Sequence, residues 1–256
     1  MIDVSTFVGP YPFRHLANVT DAWLLAQMDR VGIDEAWVGH LPSFLYRDPG
    51  PGNTALLTTV SSEQRLRPVP VVHPGLPGWE AELETYGRHA PALRAYPNYW
   101  GLDPAGPEMV NLAGAAANSA FPLLLTVRFE DVRQRHRLDA APDLPPSAVR
   151  ALARVGEGVR LVVTHADRSF LEEVHYGLTS NESERVLWDF SWIWGPPEEH
   201  LRHLLATIGP SRFVFGSGMP LRIPDSAVAK LDLLELPDVD RQAIEEGNAR
   251  SWMRDG

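Results

Sequence analysis

The sequence contains no cysteine, which excludes disulfides, thiolate metal sites and a cysteine nucleophile. It has a single lysine, Lys230, so nearly all of its basic residues are arginines. No apolar run approaches the length of a membrane span. The opening residues, Met1-Ile2-Asp3-Val4-Ser5, carry neither the basic stretch nor the apolar segment of a secretory signal. No strand-like run is followed by a glycine-rich phosphate loop, which removes the usual support for a dinucleotide fold. A Gly-x-Ser-x-Gly nucleophile elbow, an internal repeat and a low-complexity tract are also missing. Positive charge is scarce overall: 33 acidic residues face 23 basic ones, a formal net charge of -10. An acidic chain of this kind argues against nucleic acid or an anionic membrane as partner. A local arginine cluster can still hold an anionic small molecule, because distant surface charge is screened. The expectation from these absences is a soluble, cytoplasmic protein that acts on a small molecule, carboxylated or sugar-derived, alone or as a homo-oligomer.

What is present is a regular alternation along 256 residues, of which 44% are hydrophobic. Short apolar, β-branched runs predict strands at Ile2–Ser5, Glu35–Val38, Val69–Val72, Leu93–Tyr96, Leu123–Val127, Leu161–Thr164, Val186–Phe190 and Phe213–Phe215. Helix-like segments lie between them at Thr20–Val31, Thr54–Gln64, Trp79–Arg88, Pro107–Asn118, Pro146–Arg154, Phe170–Tyr176, Glu198–Ile208 and Ser226–Leu234. Thr20-Asp21 and Pro196-Pro197 read as helix starts, and Gly32, Gly156 and Gly209 as stops. Strand–helix alternation without a break in composition predicts one domain over 1–256, a (β/α)₈ TIM barrel of α/β class, with a doubly wound open sheet as the rival. The long connections Leu41–Asn53 and Phe129–Pro145 are expected to carry function.

Three local patterns resemble the amidohydrolase-related family of metal-dependent hydrolases, lactonases and decarboxylases. Ile2-Asp3-Val4-Ser5-Thr6-Phe7-Val8-Gly9 is similar to the opening strand I-D-x-H-x-H-x-G of that family. Val162-Val163-Thr164-His165 is similar to its strand ending in histidine. Arg212-Phe213-Val214-Phe215-Gly216-Ser217-Gly218-Met219-Pro220 is similar to its last strand, R-x-x-F-G-S-D-x-P, and is followed by Gly247-Asn248-Ala249 in a closing helix. The resemblance implies a TIM barrel with one or two divalent cations at its mouth. The departures matter more. The histidine pair of the first strand is Ser5 and Phe7 here, the fifth-strand position falls at about Thr126, and the last-strand aspartate is Gly218. Only His165 remains, and a catalytic zinc needs about three protein ligands. Tyr11-Pro12-Phe13-Arg14, Pro74–Glu80, Arg94–Tyr99 and Val127–His136 resemble a branch of the same family that lacks these ligands.

Barrel sites form at the C-terminal ends of the strands, so the residues just after each apolar run are the candidates. His165 closes an apolar strand and suits acid–base work, with Asp167 beside it. Arg128 shares the strand face of Thr126, and its guanidinium suits a carbonyl or carboxylate oxygen, oriented by Glu130 or Asp131. Arg14, His40, His73, Tyr96, Asn98, Tyr99, Asp131, Trp192 and Ser217 are the expected substrate-binding residues. Arg94, in mid-strand, requires a partner inside the barrel. No cofactor is expected; zinc held by His40, His73 and His165 is the alternative. These residues point to a hydrolase that opens a small cyclic ester or amide without a catalytic metal, with Arg128 polarising the carbonyl and His165, aided by Asp167 or Glu130, activating water. The rivals are a decarboxylase or lyase on the same scaffold and a ligand-binding barrel without catalysis.

Overall fold

The computed structural model describes residues 1–16, 19–87, 90–195 and 197–253. Its strands are β1 (Ile2–Val8), β2 (Glu35–His40), β3 (Leu66–Pro68), β4 (Leu93–Ala95), β5 (Leu123–Thr126), β6 (Leu161–Thr164), β7 (Val186–Asp189) and β8 (Phe213–Val214). The helices follow in chain order as α1 (Asp21–Val31), α2 (Gly50–Val60), α3 (Trp79–Gly87), α4 (Pro97–Trp100), α5 (Pro107–Asn118), α6 (Pro146–Ala153) and α7 (Arg168–Tyr176). They continue as α8 (Ser180–Ser183), α9 (His200–Ile208), α10 (Pro224–Leu234), α11 (Asp238–Gln242) and α12 (Asn248–Trp252). None of the described helices is long and apolar enough to cross a membrane.

Parallel ladders run through β1-β2-β3 and through β4-β5-β6-β7-β8. Two seams join them. Between β3 and β4, Val71 bridges Arg94, whose N–H donates to the Pro70 carbonyl at 2.9 Å. Between β8 and β1, Val4 N–H donates to the Phe215 carbonyl at 3.0 Å and Phe7 N–H to that of Met219 at 2.9 Å. The sheet is therefore closed into a single-domain (β/α)₈ barrel, and the open-sheet alternative falls. Pro68 and Pro70 explain why β3 is short: proline offers no N–H to a ladder. The expected strand Val69–Val72 lies past β3, tied to β2 by Val69 N–H donating to the Val38 carbonyl at 2.8 Å and to β4 by the bridge at Val71.

The 3.6- and 2-residue periods read from the sequence hold with local shifts. The expected loop Leu41–Asn53 is instead a 3₁₀ turn, Leu41–Leu45, followed by the first turn of α2, where Pro51 sits without cost. Thr20 caps α1 by accepting from Trp23 N–H at 3.2 Å. Gly32 and Gly209 end their helices with positive φ, whereas α6 is already capped by Arg154 before Gly156. Pro196 and Arg88 lie outside the described residues.

Side chains on one face of a strand recur every second residue, and this layers the interior. The floor is apolar: Ile2 and Val4, Trp37, Val69, Ala92, Leu124, Val162, Leu187 and Val214, with Ala249 of α12 among them. Two residues further along the strands come Gly39, Val71, Arg94, Thr126, Thr164, Asp189 and Gly216. Arg94, Thr126, Thr164 and Asp189 in this layer are all buried. Glycine is required at two of these positions because its neighbours are large. A Cβ at Gly39 would lie 3.2 Å from Arg94 Nη1, and one at Gly216 would lie 2.7 Å from the Asp189 carboxylate. Above this layer Phe7, Tyr11, Phe44, Tyr96 and Phe129 pack into an aromatic plug on the β1–β4 side. The mouth consequently opens over β5 to β8.

Candidate functional site at the barrel mouth

His165 follows β6 with φ of +61°, a left-handed conformation that residues with a Cβ rarely adopt. The turn carries its backbone N–H to Asp189 Oδ1 at 2.9 Å. Its Nδ1 lies 2.8 Å from the Arg128 carbonyl, which can only accept, so Nδ1 holds the proton. Nε2 is then the acceptor, and it meets the Ser5 hydroxyl at 3.1 Å. Burial, reinforced by the charges of Arg222, Arg94 and Arg128, pushes the imidazole down to about 3. His165 is a neutral hydrogen-bonding hub.

Two carboxyls complete this buried centre. Asp189 Oδ2 accepts from the Ser191 hydroxyl at 2.8 Å. Asp3 Oδ1 accepts from the backbone N–H groups of Ser5 and Ser217, each at 3.0 Å. Burial raises both carboxyls to about 6, against the pull of these hydrogen bonds, and the Asp3 charge adds to the rise at Asp189. Both therefore titrate close to neutrality, as a proton-transfer group must.

A cavity of about 260 Å³ opens above this centre, lined by residues after β5, β6, β7 and β8: Arg128, Asp131, Arg133, Gln134, Asp167, Ser191, Trp192, Ile193, Trp194, Arg222, Ser226 and Lys230. A second hollow of about 360 Å³ shares Ser191, Arg222 and Ser226 and adds Ser217, Leu221, Ile223 and Ala227. Both suit a small ligand. Arg222 lies over the Trp192 ring, 3.9 Å from its centroid. Burial lowers the pKa of Arg222, opposed by the charge of Asp189. Bare backbone at Gly218, with φ of +76°, makes room here: a Cβ would stand 3.2 Å from Arg222 Cδ and 3.5 Å from His165 Nε2.

Of the residues expected from the sequence, Arg128, Asp131, Asp167, Trp192 and Ser217 line these hollows, and His165 lies beneath them. Their partners differ from the expectation. Arg128 is held by Asp143 at 2.9 Å and Asp167 at 2.6 Å, and not by Glu130 or Asp131. Asp167 also caps α7, accepting from Phe170 N–H at 2.9 Å. Asp131 grips Arg133 through both oxygens at 2.9 Å, which holds its carboxyl well below the usual range. Glu130 pairs instead with Arg14 at 3.0 Å, and Arg14 reaches the Leu221 carbonyl at 2.8 Å, so this pair ties loops at the rim.

The β2–β4 side stands apart. His40 turns to Ser43 Oγ at 2.9 Å, and His73 stacks on Trp100 with centroids 4.1 Å apart. Burial lowers the pKa of both. Tyr96 and Tyr99 belong to the aromatic packing around Phe44 and Phe129, and Asn98 donates to the Pro142 carbonyl at 2.8 Å. Arg94 has no hydrogen-bond partner for its guanidinium among the described residues and rests over Phe7 at 4.5 Å, contrary to the expected pairing. Asp3, Arg222 and Lys230 are not among the strand-end candidates of the sequence, whereas Ser5, Asp189 and Ser191 are strand-end positions to which it assigns no catalytic or binding role. For Asp189 and Ser191 a signal existed, since both follow the apolar run of β7. For Arg222 and Lys230 there was none.

The divalent cation implied by the family resemblance does not fit the donors present. Ser5 Oγ is engaged by His165, and the Phe7 ring meets that imidazole edge-on at 6.2 Å. Thr126 Oγ1 faces Thr164 Oγ1 at 3.1 Å, and Gly218 offers no side chain. The charges of Arg222, Arg94 and Arg128 that lower the imidazole pKa also oppose a cation at its ring. Among the described residues no three His, Cys, Asp or Glu come together as a metal would require, so His40, His73 and His165 do not converge.

A family model described as an amidohydrolase matches residues 135–254. Solved structures with the same fold include 5-carboxyvanillate decarboxylase from Sphingomonas paucimobilis, at 15% identity over 98% of each chain with a TM-score of 0.72. A protein assigned as a 2-pyrone-4,6-dicarboxylic acid hydrolase, from Pseudomonas putida, is 20% identical over 98% of this chain and 96% of its own, with a TM-score of 0.70. The 2,6-dihydroxybenzoate decarboxylase from Rhizobium is 14% identical over 98% and 97%, with a TM-score of 0.71. No match was found among curated proteins. These likenesses establish the barrel over essentially the whole chain, and the family model agrees with the motifs of its C-terminal half.

Proposed function

We propose that this amidohydrolase-type barrel hydrolyses a small cyclic ester that carries a carboxylate, and that it does so without a catalytic metal ion. The observation that carries this reading is the position of Ser191: it lines the cavity together with Arg222, and its hydroxyl donates to the Asp189 carboxylate at 2.8 Å. A carbonyl oxygen held by Arg222 becomes electrophilic at carbon, because the fixed positive charge stabilises the oxyanion that forms on attack. Water beside Ser191 attacks the carbonyl carbon, the C=O π pair moving to the oxygen held by Arg222, and gives its proton to Ser191 Oγ as the serine proton passes to Asp189 Oδ2. The resulting tetrahedral centre collapses by expelling the ring oxygen, which takes the proton back along the same path. The product is a ring-opened hydroxy acid.

This assignment moves the base from His165 to Asp189. With its pKa pushed to about 3, the imidazole takes up almost no proton at neutrality. Its part is to position Asp189 through a backbone N–H and Ser5 through Nε2. Arg128, already matched by two carboxylates, forms the wall of the site. A cyclic ester suits such a site, because a strained or activated ester needs less electrophilic help than an unstrained amide. The 2-pyrone-4,6-dicarboxylic acid of the Pseudomonas putida relative's description is a substrate of this chemical class.

Chelator-treated protein is expected to open at least one member of a panel of carboxylated lactones and pyrones, and to lose that activity in Asp189→Asn. No ring opening across the panel would sink the proposal. Activity that appears only on adding zinc would overturn its metal-free form, and carbon dioxide release from aromatic acids would favour a decarboxylase.

A further inference from the structure

Lys230 is the only lysine of the sequence, and α10 sets it in the wall of the mouth cavity. Its stem passes over Gly195, where a Cβ would fall 2.9 Å from Lys230 Cγ. Nζ lies 3.1 Å from the Phe190 carbonyl and 3.1 Å from that of Ser191. An ammonium has three protons to place, and among the described residues these two carbonyls accept from it. A neutral amine has two protons, both accepted here, and its lone pair remains for a cavity ligand. The surroundings shift the balance towards the neutral form. Burial, and then the Arg222 charge, bring the group down to about 8, with only the Asp189 charge opposing. The other charged side chains of the cavity are already matched: Arg128 by Asp167, and Arg133 by Asp131. Arg222 makes no ion pair among the described residues and is the cation available to a ligand anion.

We propose that Lys230 is a carbonyl-condensing amine, which takes small aldehydes or keto acids bearing an anionic group into the mouth and forms an imine at Nζ. The nitrogen lone pair attacks the carbonyl carbon as the C=O π pair moves to oxygen. Both amine protons then leave with that oxygen as water, and the C=N bond closes. No oxidant or reductant enters the step. The anionic group sits on Arg222, which places the carbonyl within the same cavity wall as Nζ. The proposal needs neither water activation nor Asp189 as a base, and so stands apart from the hydrolytic reading.

Glyoxylate with cyanoborohydride tests it on the whole protein, because reduction fixes an imine as a carboxymethylamine that peptide mapping locates. Lys230 is the one lysine of this sequence, and the Met1 amino group is paired with Asp34. The expected result is modification at Lys230 that saturates with glyoxylate concentration and runs at least about tenfold faster at neutral pH than on a lysine peptide. Lys230→Met should abolish it, and Arg222→Gln should raise the half-saturating concentration. A rate that grows linearly and equals that of the peptide, or modification confined to Met1, would overturn the proposal. If trapping fails while lactones are still opened, the imine proposal falls alone; if trapping succeeds without ring opening, the hydrolytic one does.

Discussion

Arg222 rests its guanidinium carbon 3.9 Å from the centroid of the Trp192 ring, joining the segment after β8 to the loop after β7. A cation over an indole face is worth about 0.5–2 kcal/mol, more as water is excluded. A guanidinium stacked face-on over a ring keeps its in-plane N–H groups for a ligand oxygen. Arg222→Met is expected to cut turnover of a lactone substrate about 10²–10³-fold, the loss typical of an oxyanion donor. Arg222→Lys should recover only part of it. Trp192→Leu should act mainly on KM, because it frees the arginine without removing it. Steady-state kinetics of the three variants check this, and an unchanged rate in Arg222→Met refutes the assigned role.

Asp189 links rate to pH and to stability in opposite senses. As the base it must be ionised, so kcat/KM should rise with pH through a midpoint of about 6. Its folded pKa is raised from 3.8 to about 6, so the folded state holds the proton more tightly than the unfolded one. Its contribution to stability is full below the unfolded value and is lost as pH rises through about 6. Asp189→Asn should therefore be inactive yet more stable above neutrality, by on the order of 3 kcal/mol, with no gain in acid. Urea unfolding on both sides of the midpoint measures this.

His165 has the reverse linkage. Its folded pKa falls from 6.5 to about 3, so the unfolded chain takes up the proton first. The stability associated with the neutral imidazole is complete above the unfolded value and drains away as pH falls towards the folded one. Asparagine tolerates the left-handed backbone found here. His165→Asn should accordingly fold, lose about 1–3 kcal/mol at neutrality with its hydrogen bonds, and show a flatter acid limb than the parent. An acid limb as steep as that of the parent would show that this histidine is not the group responsible.

Gly218→Ala should cost more than a backbone penalty. Both Gly218 and Gly78 have positive φ, +76° and +80°, so alanine strains each. At Gly78 a Cβ would meet nothing within 4 Å, whereas at Gly218 it approaches Arg222 Cδ at 3.2 Å and His165 Nε2 at 3.5 Å. Gly78→Ala is expected to lose about 1–2 kcal/mol and keep full activity, and Gly218→Ala to lose that and most of the turnover. Equal effects of the two variants on activity would show that the space above Gly218 is not used.

Much of the architecture was legible because strand and helix periods are local properties. Leu161–Thr164 and Pro107–Asn118 appear as read, and Ser5, Phe7, Thr126 and Gly218 stand where the resemblance implies metal ligands. Strand-end positions also placed Arg128, Asp131, Asp167, Trp192 and Ser217 at the mouth, since alternation along a strand sets direction. What alternation cannot supply is partnership. That Asp143 and not Glu130 would hold Arg128, that Ser5 would meet His165 across 160 residues, and that Asp189 would reach Ser191 while buried from water depend on closure of the barrel. Arg222 and Lys230 come from the chain after β8, where no periodic signal distinguishes a surface cation from one turned into a cavity. The sequence by itself determined the alternation of strands and helices and set Ser5, Phe7, Thr126 and Gly218 where the family resemblance implies metal ligands. The tertiary structure decided which charges are matched and which carboxyls are desolvated, because pairing and burial belong to the closed fold and not to any one segment.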